Sequence, residues 1–219
     1  MLKRINNLKK YFFQTSSDLS THYLILIENI LKDPQKSYNE KQKIIQKILK
    51  LITNKIQIKL NEAVLFYGTL ENHSKTDIKI HQPDKDIPFL FTKNLESVPP
   101  QSFYINKAPF FSYVWNDSRI LKTFSIIGEK GFDFRKQENP ENIVIHPLGI
   151  VVGFGNNHSS NAGLLDKSDE SKINYTLTLT ENQLSEILKN SKISYECNEI
   201  KLLLEIAQLF ISYDFSIKI

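Results

Sequence analysis

Apolar positions recur at helical spacing from the start of the chain. Leu19, Tyr23, Leu26, Ile27, Ile30 and Leu31 share one side of a helix that Ser17 and Asp18 can cap and that ends before Pro34. A second helix is predicted from about Ser37, with Ile44, Ile45, Ile48, Leu49, Ile52 and Ile56 on one face and Lys43, Lys47 and Lys50 opposite. A helical hairpin is the expected local form. From Glu62 the texture changes. Residues 63–67 form a β-prone run closed by Gly68, and five prolines between residues 69 and 110 predict a mostly irregular stretch with short strands at 78–80 and 89–91. Asn116 or Asp117 can cap a helix through Ile120, Leu121, Phe124 and Ile127, stopped by Gly128.

Farther on, β-branched apolar residues at 143–145 and 150–152 predict a buried strand interrupted near Pro147. The turn 153–157 (Gly-Phe-Gly-Asn-Asn) permits positive φ at several positions, and residues 159–165 read as a helix start. Residues 173–179 alternate as a strand does. Thr180 and Gln183 have capping-box spacing for a helix to about Asn190, a short strand is expected at 193–195, and Asn198 caps a last helix with Ile200, Leu203, Leu204, Ala207 and Phe210 toward the core. The predicted class is α+β: a basic helical segment over residues 1–60, then an α+β domain over 61–219 in which a mixed sheet with flanking helices holds the 143–165 strand–turn–helix motif.

Charge sharpens this division. The 219 residues carry a net +4, yet residues 1–60 have 12 basic and four acidic groups, or +8, which leaves −4 for residues 61–219. The longest apolar runs, such as residues 23–27, fall far short of the roughly 20 residues a membrane span needs. The first residues lack the apolar core and cleavage site of a secretory signal, and the single cysteine, Cys197, excludes an internal disulfide and a cysteine zinc site. A cytoplasmic protein with no membrane partner is expected.

A strand, a Gly/Asn turn and a helix start together offer free N–H groups and the positive end of a helix dipole, a natural anion site. Gly153, Gly155, Asn156, Asn157, His158, Ser159 and Ser160 converge on that turn in sequence. His158 can donate to a phosphate or move a proton near neutral pH, and it is the one catalytic candidate. An ordinary tight turn with a helix cap explains the same residues. No Gly-Lys-Ser/Thr follows, so a Walker loop is excluded.

The strand, Gly155-Asn-Asn-His158-Ser159 and the following Ala162-Gly163 resemble the phosphate-binding turn of the ParB/sulfiredoxin superfamily. More broadly, Trp115, Arg119, Gly128, residues 132–134 and 139–142, Pro147-Leu-Gly-Ile150 and residues 155–159 are similar to a bacterial family, without assigned function, marked by Pro-x-Gly-Ile, Gly-Asn-His-Ser and Ala-Gly. This similarity spans about residues 112–166. The superfamily resemblance implies nucleotide binding at the turn, with nuclease activity only a weak extension. Two departures limit the transfer. Asn157 stands where sulfiredoxin has its catalytic cysteine, and Ser159 stands where the superfamily has arginine, a lost bidentate phosphate donor that Arg119, Lys122 or Arg135 would have to replace.

Other candidates are weaker. His146 and His158, with Asp166 or Asp169, match no familiar metal spacing, so no metal site is assigned. His22 reads as partly buried packing, and Trp115 with Tyr113, Phe110 and Phe111 as core more than as a base-stacking surface. The lysine stripe over residues 41–59 suits nucleic-acid phosphate, a solvated helix face, or docking on the chain's own acidic body. The expected function is binding of a nucleotide or nucleic-acid phosphate at the turn, with catalysis undecided and no cofactor assigned. The alternative is a non-catalytic protein-interaction module of a plasmid, phage or defence locus, the turn being architectural.

Overall fold

The computed structural model describes residues 16–67, 95–105, 107–112, 118, 121–123, 142–153, 170–189 and 198–219. Helix α1 (Ser16–Lys32) and helix α2 (Tyr38–Tyr67) form the predicted hairpin. Between them Asp33 accepts the Gln35 N–H at 2.9 Å and holds the Lys36 ammonium, while Lys41 Nζ donates to the Leu31 carbonyl at 2.7 Å. Ser37 and Glu40 open α2 as a capping box: the Ser37 N–H donates to Glu40 Oε2 at 2.8 Å and the Glu40 N–H to Ser37 Oγ at 3.3 Å.

α2 runs through residues 63–67, which corrects the β-prone reading of that run. The apolar stripe Ile52, Ile56, Leu60 continues at helical spacing to Val64, which is 0% exposed, so burial on a continuous helical face outweighs local β preference.

The described strands are β1 (Leu95–Tyr104), β2 (Phe110–Ser112), β3 (Asn142–His146), β4 (Ile150–Gly153) and β5 (Glu170–Thr178). They form one mixed sheet in the order β1-β5-β3-β4-β2, which bears out the α+β class. β1–β5 and β3–β4 are antiparallel, whereas β3–β5 and β2–β4 are parallel. β1 lies where five prolines predicted irregular chain. Pro99 and Pro100 are tolerated because β1 is an edge strand, and its register with β5 shifts between Ser97 and Gln101. The short strands expected at 78–80, 89–91 and 193–195 lie outside the described residues. Ser118 and residues 121–123 are helical, as expected.

Residues 143–152 form a hairpin of two strands rather than one interrupted strand, with Ile145 opposite Ile150 and Asn142 opposite Gly153. At its turn the Gly149 N–H donates to the Ile145 carbonyl at 2.8 Å, and Gly149 has φ +61°. Alternation along β3 and β4 then serves two cores. Ile143, Ile145, Ile150 and Val152 join a large cluster with α1, α2 and the two helices that follow the sheet, while Val144 and Val151 pack with Phe103, Ile105, Phe110 and Ile173.

Helix α3 (Glu181–Lys189) opens on the expected capping box, the Thr180 N–H donating to Gln183 Oε1 at 2.8 Å and the Gln183 N–H to Thr180 Oγ1 at 3.4 Å. Helix α4 (Asn198–Ser212) buries Leu203, Leu204, Ala207 and Phe210 as predicted. The chain beyond α4 straps back over the sheet. Phe215 meets Phe210 edge-on at 5.0 Å, Tyr38 Oη and Gln42 Nε2 both donate to the Ser216 carbonyl at 2.8 Å, and the Ile217 N–H donates to the Pro147 carbonyl at 3.0 Å.

Candidate functional site

The parallel strands β2 and β4 end side by side, with Ser112 opposite Gly153, the first residue of the proposed turn. Gly153 is the member of the proposed turn that lies among the described residues. Gly155, Asn156, Asn157, His158, Ser159, Ser160 and Arg119 lie outside them, as do Arg135, Asp166 and Asp169. The glycine requirement at 153 differs from the expected one. Its φ is not positive; instead, a Cβ there would come within 3.1 Å of Phe110 Cζ, 3.2 Å of Asn142 Oδ1 and 3.2 Å of Ser112 Cβ. Close packing of two neighbouring strands, not a left-handed backbone, leaves little room for a side chain here.

Around this sheet end the apolar interior gives way to a buried polar wall. Ser112 is fully buried, and its backbone N–H, on the free edge of β2, donates to Gln57 Oε1 at 2.7 Å. Gln57 Nε2 in turn donates to Asn61 Oδ1 at 3.0 Å, one helical turn on. A side chain from α2 thereby closes an edge strand that would otherwise present unpaired backbone. On the other side, Asn142 Nδ2 donates to Ser171 Oγ at 3.0 Å and to the Lys172 carbonyl at 2.8 Å. A carbonyl can only accept, so this second bond fixes the orientation of the amide and turns Oδ1 toward Gly153. Among the described residues that buried oxygen has no hydrogen-bond partner.

Neither Gln57 nor Asn142 was expected at the site. Gln57 does carry a sequence signal, a polar residue adjoining the buried arc of an otherwise apolar helix face. Asn142 carries little, since its role depends on strand pairing to residues far along the chain.

The histidines separate. His146 sits at the end of β3 away from Gly153, four residues or about 13 Å along the strand from Asn142. It is half-buried, and burial pushes its imidazole pKa below the ordinary value. His22 is exposed, not partly buried as expected, because it lies on the outer side of α1, away from Ile27, Ile30 and Leu31. Among the described residues no group of three His, Cys, Asp or Glu side chains could hold a metal.

The lysine stripe divides in two. Lys41 is tied to Leu31, Lys55 lies 5.1 Å over the Tyr23 ring, and Lys59 pairs with Glu199 at 2.6 Å, a contact between the basic helix and the acidic body. Lys43 and Lys47 are exposed and Lys50 is half-buried. Among the described residues no helix is long and apolar enough to cross a membrane.

The chain belongs to a family of unknown function, DUF6710, whose model matches residues 6–193. No curated protein and no solved structure matches it.

Proposed function

We propose that this DUF6710 protein binds the phosphate of a nucleotide or nucleic acid at the 153–160 turn, in a cytoplasmic bacterial setting. The observation that supports it most is the sheet end itself: two parallel strands finish together at Ser112 and Gly153 beside the buried amides of Gln57 and Asn142. Ligands of open sheets with parallel strands favour carboxyl strand ends, where loops leave the scaffold. The resemblance of residues 155–159 to the ParB/sulfiredoxin turn points the same way. In this reading His158 is the principal donor and the proton-transfer candidate, Asn157 and Ser159 orient the ligand, and Gly153, Gly155, Asn156 and Ser160 shape the turn, with Arg119 as the replacement cation. The basic segment over residues 1–60 is at most an auxiliary surface in this reading. Thermal unfolding with ATP, CTP or GTP should show a raised melting temperature, lost in His158→Ala; no rise with any nucleotide, in a stably folded protein, would reject the reading.

The second reading, a non-catalytic interaction module of a plasmid, phage or defence locus, draws on apolar side chains exposed on the hairpin. Leu51 is 56% and Ile58 55% exposed on α2, with Ile25 and Leu26 exposed on α1. Unaltered nucleotide-independent stability together with a purely architectural Gly153 would favour it.

A further inference from the structure

At about 100° of rotation per residue, Lys43, Lys47, Lys50, Asn54 and Asn61 fall within one narrow arc of α2. That arc is about 27 Å long at 1.5 Å per residue. Gln57 borders it, on nearly the same helix side as Lys50 and two turns farther along. Since Gln57 Oε1 accepts the Ser112 N–H and Ser112 pairs with Gly153, the far end of the arc meets the sheet end at Gly153, with Lys50 two helical turns back along α2. Asn61 is joined to the same polar wall through Gln57.

The arc is rich in donors and poor in acid. The carboxylates of α2 are Glu40 and Glu62; Glu40, before the stripe begins, is held by the Ser37 hydroxyl at 2.7 Å. Lys41, Lys55 and Lys59 are turned to internal partners, whereas no ion pair among the described residues holds Lys43, Lys47 or Lys50. Lys50 is the telling member. It is half-buried, no carboxylate among the described residues pairs with it, and desolvation pulls its pKa below the ordinary lysine value. A partly desolvated ammonium gains most from an anion brought by a ligand.

From this placement we propose that the anionic ligand of the turn is a nucleic-acid strand rather than a free nucleotide, its backbone following Lys50, Lys47 and Lys43 away from Gly153. The proposal rests on the phosphate-binding reading of the turn and adds the substrate class. Lys43 to Lys50 spans about 10 Å of helix axis, room for about three successive phosphates at 3.4 Å per step of one strand. A mononucleotide seated at the turn would be too short to engage all three. With no arginine and no aromatic ring on the arc, contact is to backbone charge and not to base edges.

The test compares fluorescence anisotropy of a labelled DNA single strand, and of its duplex, over a salt series for the wild-type chain and two charge-matched triple variants. One is Lys43→Gln/Lys47→Gln/Lys50→Gln; the other is Lys189→Gln/Lys201→Gln/Lys218→Gln, elsewhere on the surface. Thermal unfolding checks that both fold, and repeats with ATP, CTP and GTP read the turn on its own. The stripe variant should bind the strand roughly tenfold or more weakly and flatten the log K against log salt slope by about two, while the control changes little. Retained nucleotide shifts in that variant would support separate turn and stripe contacts. Equal loss in both variants, salt-independent binding, or lysine-dependent binding to phosphatidylserine vesicles without strand binding would overturn the proposal. Nucleotide shifts without strand binding would overturn it and leave the turn reading standing. Strand binding that needs the stripe but ignores His158→Ala, with no nucleotide shift, would overturn the path through the turn.

Discussion

Gly149 shows how one residue can be fixed by a distant segment. Its φ of +61° already favours glycine, and a Cβ there would stand 2.7 Å from both Ile217 Cγ2 and the Ile217 carbonyl oxygen. Gly149→Ala should therefore lower stability by about 2–3 kcal/mol, read as a lower urea midpoint. In a double-mutant cycle, Ile217→Ala should cost less in the Gly149→Ala chain than in wild type, since part of the clash leaves with the buried side chain while the carbonyl and the φ remain. His146 gives a pH signature. Burial holds its folded pKa below that of the unfolded chain, so the unfolded state takes the proton more readily. Its contribution is complete above the ordinary value of about 6.5 and declines as pH falls below it toward the folded pKa. Melting temperature followed from neutral to acidic pH should drop in that window, and His146→Gln should flatten the drop; an unchanged slope would assign it to other groups.

At the scale of elements, the clearest local instruction is at α3. The Thr180–Gln183 box was readable from four residues because capping depends on neighbours in sequence. Thr180→Ala should cost about 1 kcal/mol by denaturant unfolding, with Thr180→Ser close to wild type. Elements defined by tertiary partners were less readable. Residues 63–67 look β-prone until Val64 is seen to extend the buried stripe of α2, and the prolines of β1 look like breakers until the strand is known to lie on an edge. Pro147 marked a break correctly, but whether one strand was interrupted or two were folded into a hairpin depended on pairing.

Across the whole molecule, the α+β class and the helical hairpin followed from apolar periodicity, whereas the site was readable only in part. Gly153 was named in sequence for backbone freedom, yet its tight surroundings are a matter of space, because Asn142, Ser112 and Phe110 come from strands whose adjacency no local pattern encodes. Gln57 joins the same region across 55 positions of sequence. The charge division also gains structure. The basic helices are not a detached arm: Ile27, Ile45, Leu49 and Ile52 lie in one core with Ile143, Ile150, Leu177 and Phe210. Lys59 is bound to Glu199, while no ion pair among the described residues holds Lys43, Lys47 or Lys50.

The strand order has a consequence for the timing of folding. β5 is the late-coming neighbour of both β1 and β3, so among the described strands β1 has no partner until residue 170 and beyond have been made. During synthesis the β3–β4 hairpin can close early, as its register needs only adjacent chain. β1 must wait about 65 residues with an open edge, a delay the proline pair at 99 and 100 makes safer by blocking strand addition from another chain.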